Sequence, residues 1–155
     1  MARSVLQTEI KQTKPFASPE EEAYLNLLRS HGILLGFQAT LMKSHGLSHP
    51  QYNVMRILRG AGTAGLHCLE ISDRMVTRVP DITRLLDRLD KSDLILRTRS
   101  REDRRVVNVK LTAKGTKLLK SLDKPVQQTL KEALGHMNRG ELNELSRLLE
   151  KARSP

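Results

Sequence analysis

The chain has 155 residues, in which 27 Lys and Arg against 17 Asp and Glu give a formal net charge of +10. That length suits one compact domain or a small lobe with helical extensions, and the charge excess favours a polyanionic partner: DNA, ribosomal RNA or an anionic membrane surface. No apolar run approaches a membrane span, no apolar signal core opens the chain, and the single Cys68 cannot form an internal disulfide, so a cytoplasmic protein is expected.

Residues 1–17 are polar and basic with little periodicity, which predicts a flexible N-terminal arm. Ser18-Pro19-Glu20-Glu21 then reads as a helix start: a serine cap, a proline at the first position and a glutamate three residues after the cap. The helix is predicted to run to about Lys43, within a segment 18–46. Tyr24, Leu27, Leu28, Leu34, Leu35, Leu41 and Met42 recur at helical spacing and give it one apolar face. His31 and Gln38 interrupt that face, where each needs a hydrogen-bond partner if buried. Read from the residues alone, they are a satisfied polar pair in a helix interface.

Ser48 and Gln51 form a second capping box, opening a helix to about Arg59. The Gly60-Ala61-Gly62-Thr63-Ala64-Gly65 stretch after it matches G-x-G-x-x-G but not the context of a dinucleotide fingerprint, which needs a strand before the glycines. It is a helix stop and turn. Cys68 then opens a short helix, and only His67 nearby in sequence would lower its pKa, so a passive residue is expected. After a break at Val76-Thr77-Arg78, Ile82, Leu85, Leu86 and Leu89 form a buried stripe, while Asp81, Arg84, Arg88 and Lys91 fall on other faces.

Pro80 fits the first turn of that helix, whose N-terminus would carry its positive dipole end toward a phosphate. Thr77 and Arg78 would sit at its mouth, where backbone contacts fix register. Arg84 and Arg88, one turn apart, can reach guanine edges or phosphates, or can belong to a solvated face with pairs such as Arg84 to Asp87 and Asp87 to Lys91. Leu94 to Arg97 and Val106 to Leu111 read as two strands joined by a charged tip, a hairpin rich in Arg97, Arg99, Arg101, Arg104 and Arg105 against Glu102 and Asp103. Such a tip suits insertion of an arginine into a minor groove, with Asp103 placed to pair with Arg105.

Thr112 can cap a long helix from Ala113 whose stripe (Leu118, Leu119, Leu122, Val126, Leu130, Leu134) continues across Pro125. Asn138 and Glu141 make a third capping box, and Leu142, Leu145, Leu148 and Leu149 give the last helix an apolar seam. A small lobe cannot bury these terminal seams, which points to a two-fold dimer. No His, Cys or carboxylate grouping has metal-ligand spacing, and no nucleophile, base and orienter occur in recognisable context, so neither a cofactor nor an enzyme is expected.

Ser100-Arg101-Glu102-Asp103-Arg104-Arg105 followed by Val109-Lys110-Leu111-Thr112-Ala113-Lys114-Gly115 resembles the wing signature of the MarR family of bacterial transcriptional regulators. Ile82-Thr83-Arg84-Leu85-Leu86-Asp87-Arg88-Leu89 resembles that family's recognition helix, and Leu47 to Met55 the start of its second helix. Two departures are Asp93, where the family commonly has Gly, and Pro80-Asp81 in place of small polar residues. The resemblance implies a mostly α (α+β) winged helix-turn-helix lobe at 47–112, with 18–46 and 113–155 forming a dimerisation domain. It further implies a homodimeric repressor that binds double-stranded DNA at a palindromic operator and is released by a small-molecule effector. The DNA-contacting residues would be Thr77, Arg78, Asp81, Thr83, Arg84 and Arg88, with Arg101, Asp103, Arg104 and Arg105 in the wing. The first helix of the family borders the effector pocket, which would place His31 and Gln38 there. A basic RNA- or ribosome-associated protein is the alternative, although two Phe, two Tyr and no Trp leave few platforms for stacking bases.

Overall fold

The computed structural model describes residues 4–99 and 107–154, which form seven α-helices and a three-stranded antiparallel sheet. The chain divides into two compact units, residues 1–37 and 38–155. In the first, the segment expected to be a flexible arm contains α1 (Val5–Glu9), capped by the Ser4 hydroxyl at the Gln7 amide. Leu6 is buried, and Glu9 reaches Arg29 on α2 (Pro19–Ser44) at 3.5 Å. Helix α2 starts as the sequence predicts: the Glu21 amide donates to the Ser18 hydroxyl, and the Glu21 carboxylate accepts from the Ala17 amide rather than from Ser18.

In the second unit, α3 (His49–Ala61) carries the expected Ser48/Gln51 box and buries Tyr52, Val54, Met55 and Leu58. A 3-10 turn (Gly62–Ala64) follows, with Gly62 and Gly65 both at positive φ. At Gly65 the need for glycine is also steric, since a Cβ there would stand 2.6 Å from the Val109 carbonyl oxygen. This close approach lets Leu66 and His67 pair with β3 as a short strand, β1. Helices α4 (Cys68–Asp73) and α5 (Ile82–Lys91) come next, then β2 (Ile95–Arg99), β3 (Val107–Leu111), α6 (Ala113–Leu134) and α7 (Arg139–Ala152).

The sheet order is β1-β3-β2, so β3 is central, with Val109 paired to Leu66 on one side and Arg97 on the other. Against the sheet pack Met55 and Leu58 of α3, Ile71 of α4, Leu86 and Leu89 of α5, and Leu119 and Leu122 of α6, in one continuous buried cluster. Each such side chain contributes roughly 1.5–3 kcal/mol by leaving water. The Thr112 hydroxyl accepts from the Gly115 amide as the predicted cap of α6, which runs through Pro125 as one helix.

The terminal helices are the contrast. Only Met42 of α2 is buried, and α7 has no buried residue although Leu142, Leu145, Leu148 and Leu149 share one seam. On α2, Tyr24, Leu28 and also Ile33 and Phe37, which lie outside the predicted stripe, are exposed. Among the described residues, no helix is long and apolar enough to cross a membrane.

Candidate nucleic-acid interface

Helix α4, the turn after it and α5 form the helix-turn-helix, and its geometry is set locally at three points. The turn is tied to the core side by Asn53 of α3, whose side-chain oxygen accepts from the Val76 amide at 2.9 Å. Helix α5 opens at Ile82, not at Pro80: Asp81 is its cap, with Oδ1 accepting from the Arg84 amide at 2.8 Å. Pro80 therefore precedes the helix instead of occupying its first turn, because a carboxylate one residue later offers the orphan amide a partner. That carboxylate also stands where the helix dipole would otherwise draw a phosphate, so Asp81 acts on the helix end first.

The end of α5 is a Schellman turn. The Leu94 amide donates to the Leu89 carbonyl, the Asp93 amide to the Asp90 carbonyl, and Asp93 takes φ +58°. That is the left-handed conformation glycine adopts without strain. Lys114 donates to the Ser92 carbonyl at 2.8 Å, a cation at the negative end of α5.

Between these ends α5 has two unlike faces. Leu86 and Leu89 are fully buried and Ile82 and Leu85 half-buried, while Thr83, Arg84 and Arg88 are exposed. Thr77 and Arg78 in the turn and Asp81 at the cap are exposed as well. Among the described residues, neither Arg84 nor Arg88 makes an ion pair through its guanidinium. The acid that could have paired within the helix, Asp87, is bonded instead to Arg97 of β2. Arg97 was expected to add to the positive charge of the wing, and the structure shows why it does not. Residues two apart on a strand share a face, so Arg97 points inward beside buried Ile95 and not outward with Leu96.

Sequence patterning missed this pair because its partners lie ten residues apart on different elements, and α5 offers Asp87 nearer cations. Arg97 also touches the chemistry of Cys68: burial raises the thiol pKa above its ordinary value, with the Arg97 charge pulling against that rise. In the wing, Arg99 is exposed at the end of β2. Arg101, Asp103, Arg104 and Arg105 lie outside the described residues, and so does the expected pairing of Asp103 with Arg105. His31 is exposed and Gln38 half-buried on α2. No group of three metal-ligating side chains occurs among the described residues.

Comparison with known proteins agrees with this geometry. The family model described as "MarR family" matches residues 47–107, the helix-turn-helix and the start of the return strand. The uncharacterised HTH-type transcriptional regulator YfiV of Bacillus subtilis is 36% identical over 137 residues, covering 84% of this chain and 82% of YfiV. A MarR transcription factor from Planctomyces limnophilus, solved as a crystal structure, is 46% identical, with a TM-score of 0.70 over 88% of this chain and 98% of that one. A mutant of E. coli MarR, crystallised with operator DNA, shares the fold at 20% identity, with a TM-score of 0.77 over 99% of this chain and all of that one. A basic winged helix-turn-helix whose outward helix face carries exposed arginines, with relatives at this level of identity over most of its length, is a DNA-binding transcriptional regulator: the chain belongs to the MarR family.

Proposed function

We propose that this regulator works as a homodimeric repressor, with two copies of α5 entering successive major grooves of a palindromic operator. The observation that carries the reading is the division of α5 into a buried inner face and an outer face where Arg84 and Arg88 stand exposed, without ion partners among the described residues. Bidentate arginine contacts to guanine discriminate by about 1–3 kcal/mol each, and exposed side chains one turn apart can reach neighbouring bases. Thr77, Arg78 and Thr83 would contact the backbone around them, and Asp81 would hold the helix end in register. In the wing, Arg101, Arg104 and Arg105 would reach the flanking minor groove, with Asp103 aiming Arg105.

The uncovered apolar seams of α2 and α7 support the dimer, since burying them against a second copy removes them from water. Half-sites would then lie about one helical turn apart, roughly 34–36 Å. A small molecule bound against α2, where His31 and Gln38 supply polar groups, would release DNA only by preferring a lobe spacing that misfits the operator. Blocking a promoter in the unliganded state makes the protein a repressor.

Selection of bound duplexes from a genomic fragment library, followed by footprinting, tests this. A pseudo-palindrome with half-sites about 10 base pairs apart centre to centre is expected, protected by a dimer in sedimentation. Single-stranded RNA competing as well as the selected duplex would overturn it in favour of an RNA-associated protein.

A further inference from the structure

The Asp87–Arg97 pair lies beside the proposed reading face without belonging to it. Asp87 follows Arg84 by three residues and precedes Lys91 by four, the two spacings at which helical side chains meet. Left to itself, its carboxylate would neutralise one of them. Instead it is held by a guanidinium from another element, on a strand position that faces inward, and the Arg97 side chain is only 25% exposed. Arg97 therefore spends its charge on Asp87, whose side chain is 47% exposed, while Arg84 and Arg88 stand exposed on the outer face.

We infer that Arg97 is a positioning residue for DNA recognition: it sequesters the Asp87 carboxylate so that Arg84 stays available to the duplex. The inference rests on the proposed role of Arg84. It differs from the plain alternative in which the pair is a brace between α5 and β2, because a brace fails alike whichever partner is lost. A sequestering cation does not. Losing Arg97 frees an acid to compete for Arg84, whereas losing the acid leaves nothing to compete.

Duplex affinity is measured by fluorescence anisotropy at fixed ionic strength for Arg84→Ala, Arg97→Met, Asp87→Asn and the double variant Asp87→Asn/Arg97→Met, with thermal unfolding of each in parallel. Lys120→Met, an exposed site on α6, controls for the loss of one positive charge and is expected to stay within about two-fold of the parent. Arg84→Ala and Arg97→Met are each expected to weaken binding by about ten-fold or more, the scale of one good base contact. Asp87→Asn is expected to bind within about two-fold of the parent even though it lowers the melting temperature by leaving a largely covered guanidinium unpaired. The double variant is expected to recover to within about three-fold of the parent, a coupling that only interacting residues show.

Equal losses in Asp87→Asn and Arg97→Met, or no recovery in the double variant, would overturn the inference and leave a brace. An unchanged Arg84→Ala would overturn the assignment of the reading face, and this inference with it. If Arg97→Met does not fold, Arg97→Lys takes its place: it keeps a cation on Asp87 and is expected to retain binding. A loss in Arg97→Lys as large as in Arg84→Ala would count against sequestration.

Discussion

Of the glycines, Gly115 is where an added Cβ would come closest to a neighbouring atom, which gives a sharp test of how the wing base is held. A Cβ on Gly115 would stand 2.1 Å from the Leu94 carbonyl oxygen and 3.2 Å from a Leu111 methyl. That oxygen cannot step aside cheaply, because it accepts from the Thr112 amide at 3.2 Å. Thr112 is itself fixed, its hydroxyl donating to the Asp93 carbonyl at 2.8 Å while accepting from the Gly115 amide at 3.0 Å. Gly115→Ala must therefore push the first turn of α6 away from the start of β2. Overpacking against backbone belongs at the upper end of about 1–3 kcal/mol, and a strained or lost Thr112–Leu94 hydrogen bond adds about 1 kcal/mol. The helix preference of alanine returns up to about 1 kcal/mol. The net loss is about 3 kcal/mol, which for a chain of this length lowers Tm by about 6–12 °C. Calorimetry at one fixed protein concentration measures it, since assembly makes Tm concentration-dependent. An unchanged or raised Tm would show that the α6 to β2 junction is not packed as described.

Other substitutions probe the ends of α5 and the thiol. Asp93→Gly is expected to raise Tm by about 1–4 °C, because glycine takes φ +58° without the Cβ penalty that aspartate carries there. A lower Tm would contradict the strain. Asp81→Ala should cost about 1 kcal/mol in urea unfolding by removing the acceptor of the Arg84 amide, and Asp81→Ser should restore most of it. Equal stability of all three chains would refute Asp81 as the cap. At pH 8, Cys68 should react with iodoacetamide more slowly than a free cysteine, because burial holds its thiol above the ordinary pKa and the thiolate is the reacting form. Faster reaction would mean that the Arg97 charge outweighs burial.

Much of this lobe was legible in the chain because its signals are local. The boxes at Ser48 and Asn138, the Thr112 cap and the stripe of Leu86 and Leu89 each depend on residues within a turn or two, and each appears where the spacing puts it. What escaped is what depends on distant neighbours. Strand β1 has two residues and exists because Gly65 lets the chain approach Val109. Arg97 looks like one more wing cation until the sheet turns it inward to Asp87. Helix α1 was hidden by its polar composition, its one deeply buried residue being Leu6. The start of α5 was misplaced by two residues because Pro80 and Asp81 are both good helix openers, and only the Asp81 to Arg84 hydrogen bond decides between them. The arginines proposed for the site stand out by charge and spacing, but whether Arg84 is left available does not, since that depends on where Asp87 bonds.

The central claim is that the outer face of α5 grips duplex DNA through Arg84 and Arg88. It is tested most directly by titrating the selected duplex and a scrambled duplex with the parent chain and with Arg84→Ala/Arg88→Ala, at matched salt and after confirming equal folding by circular dichroism. The predicted result is a loss of at least about 30-fold on the selected duplex, from two contacts worth about 1 kcal/mol or more each, with a much smaller loss on the scrambled one. Undiminished affinity and discrimination in the folded double variant would contradict the claim and place recognition elsewhere on the molecule.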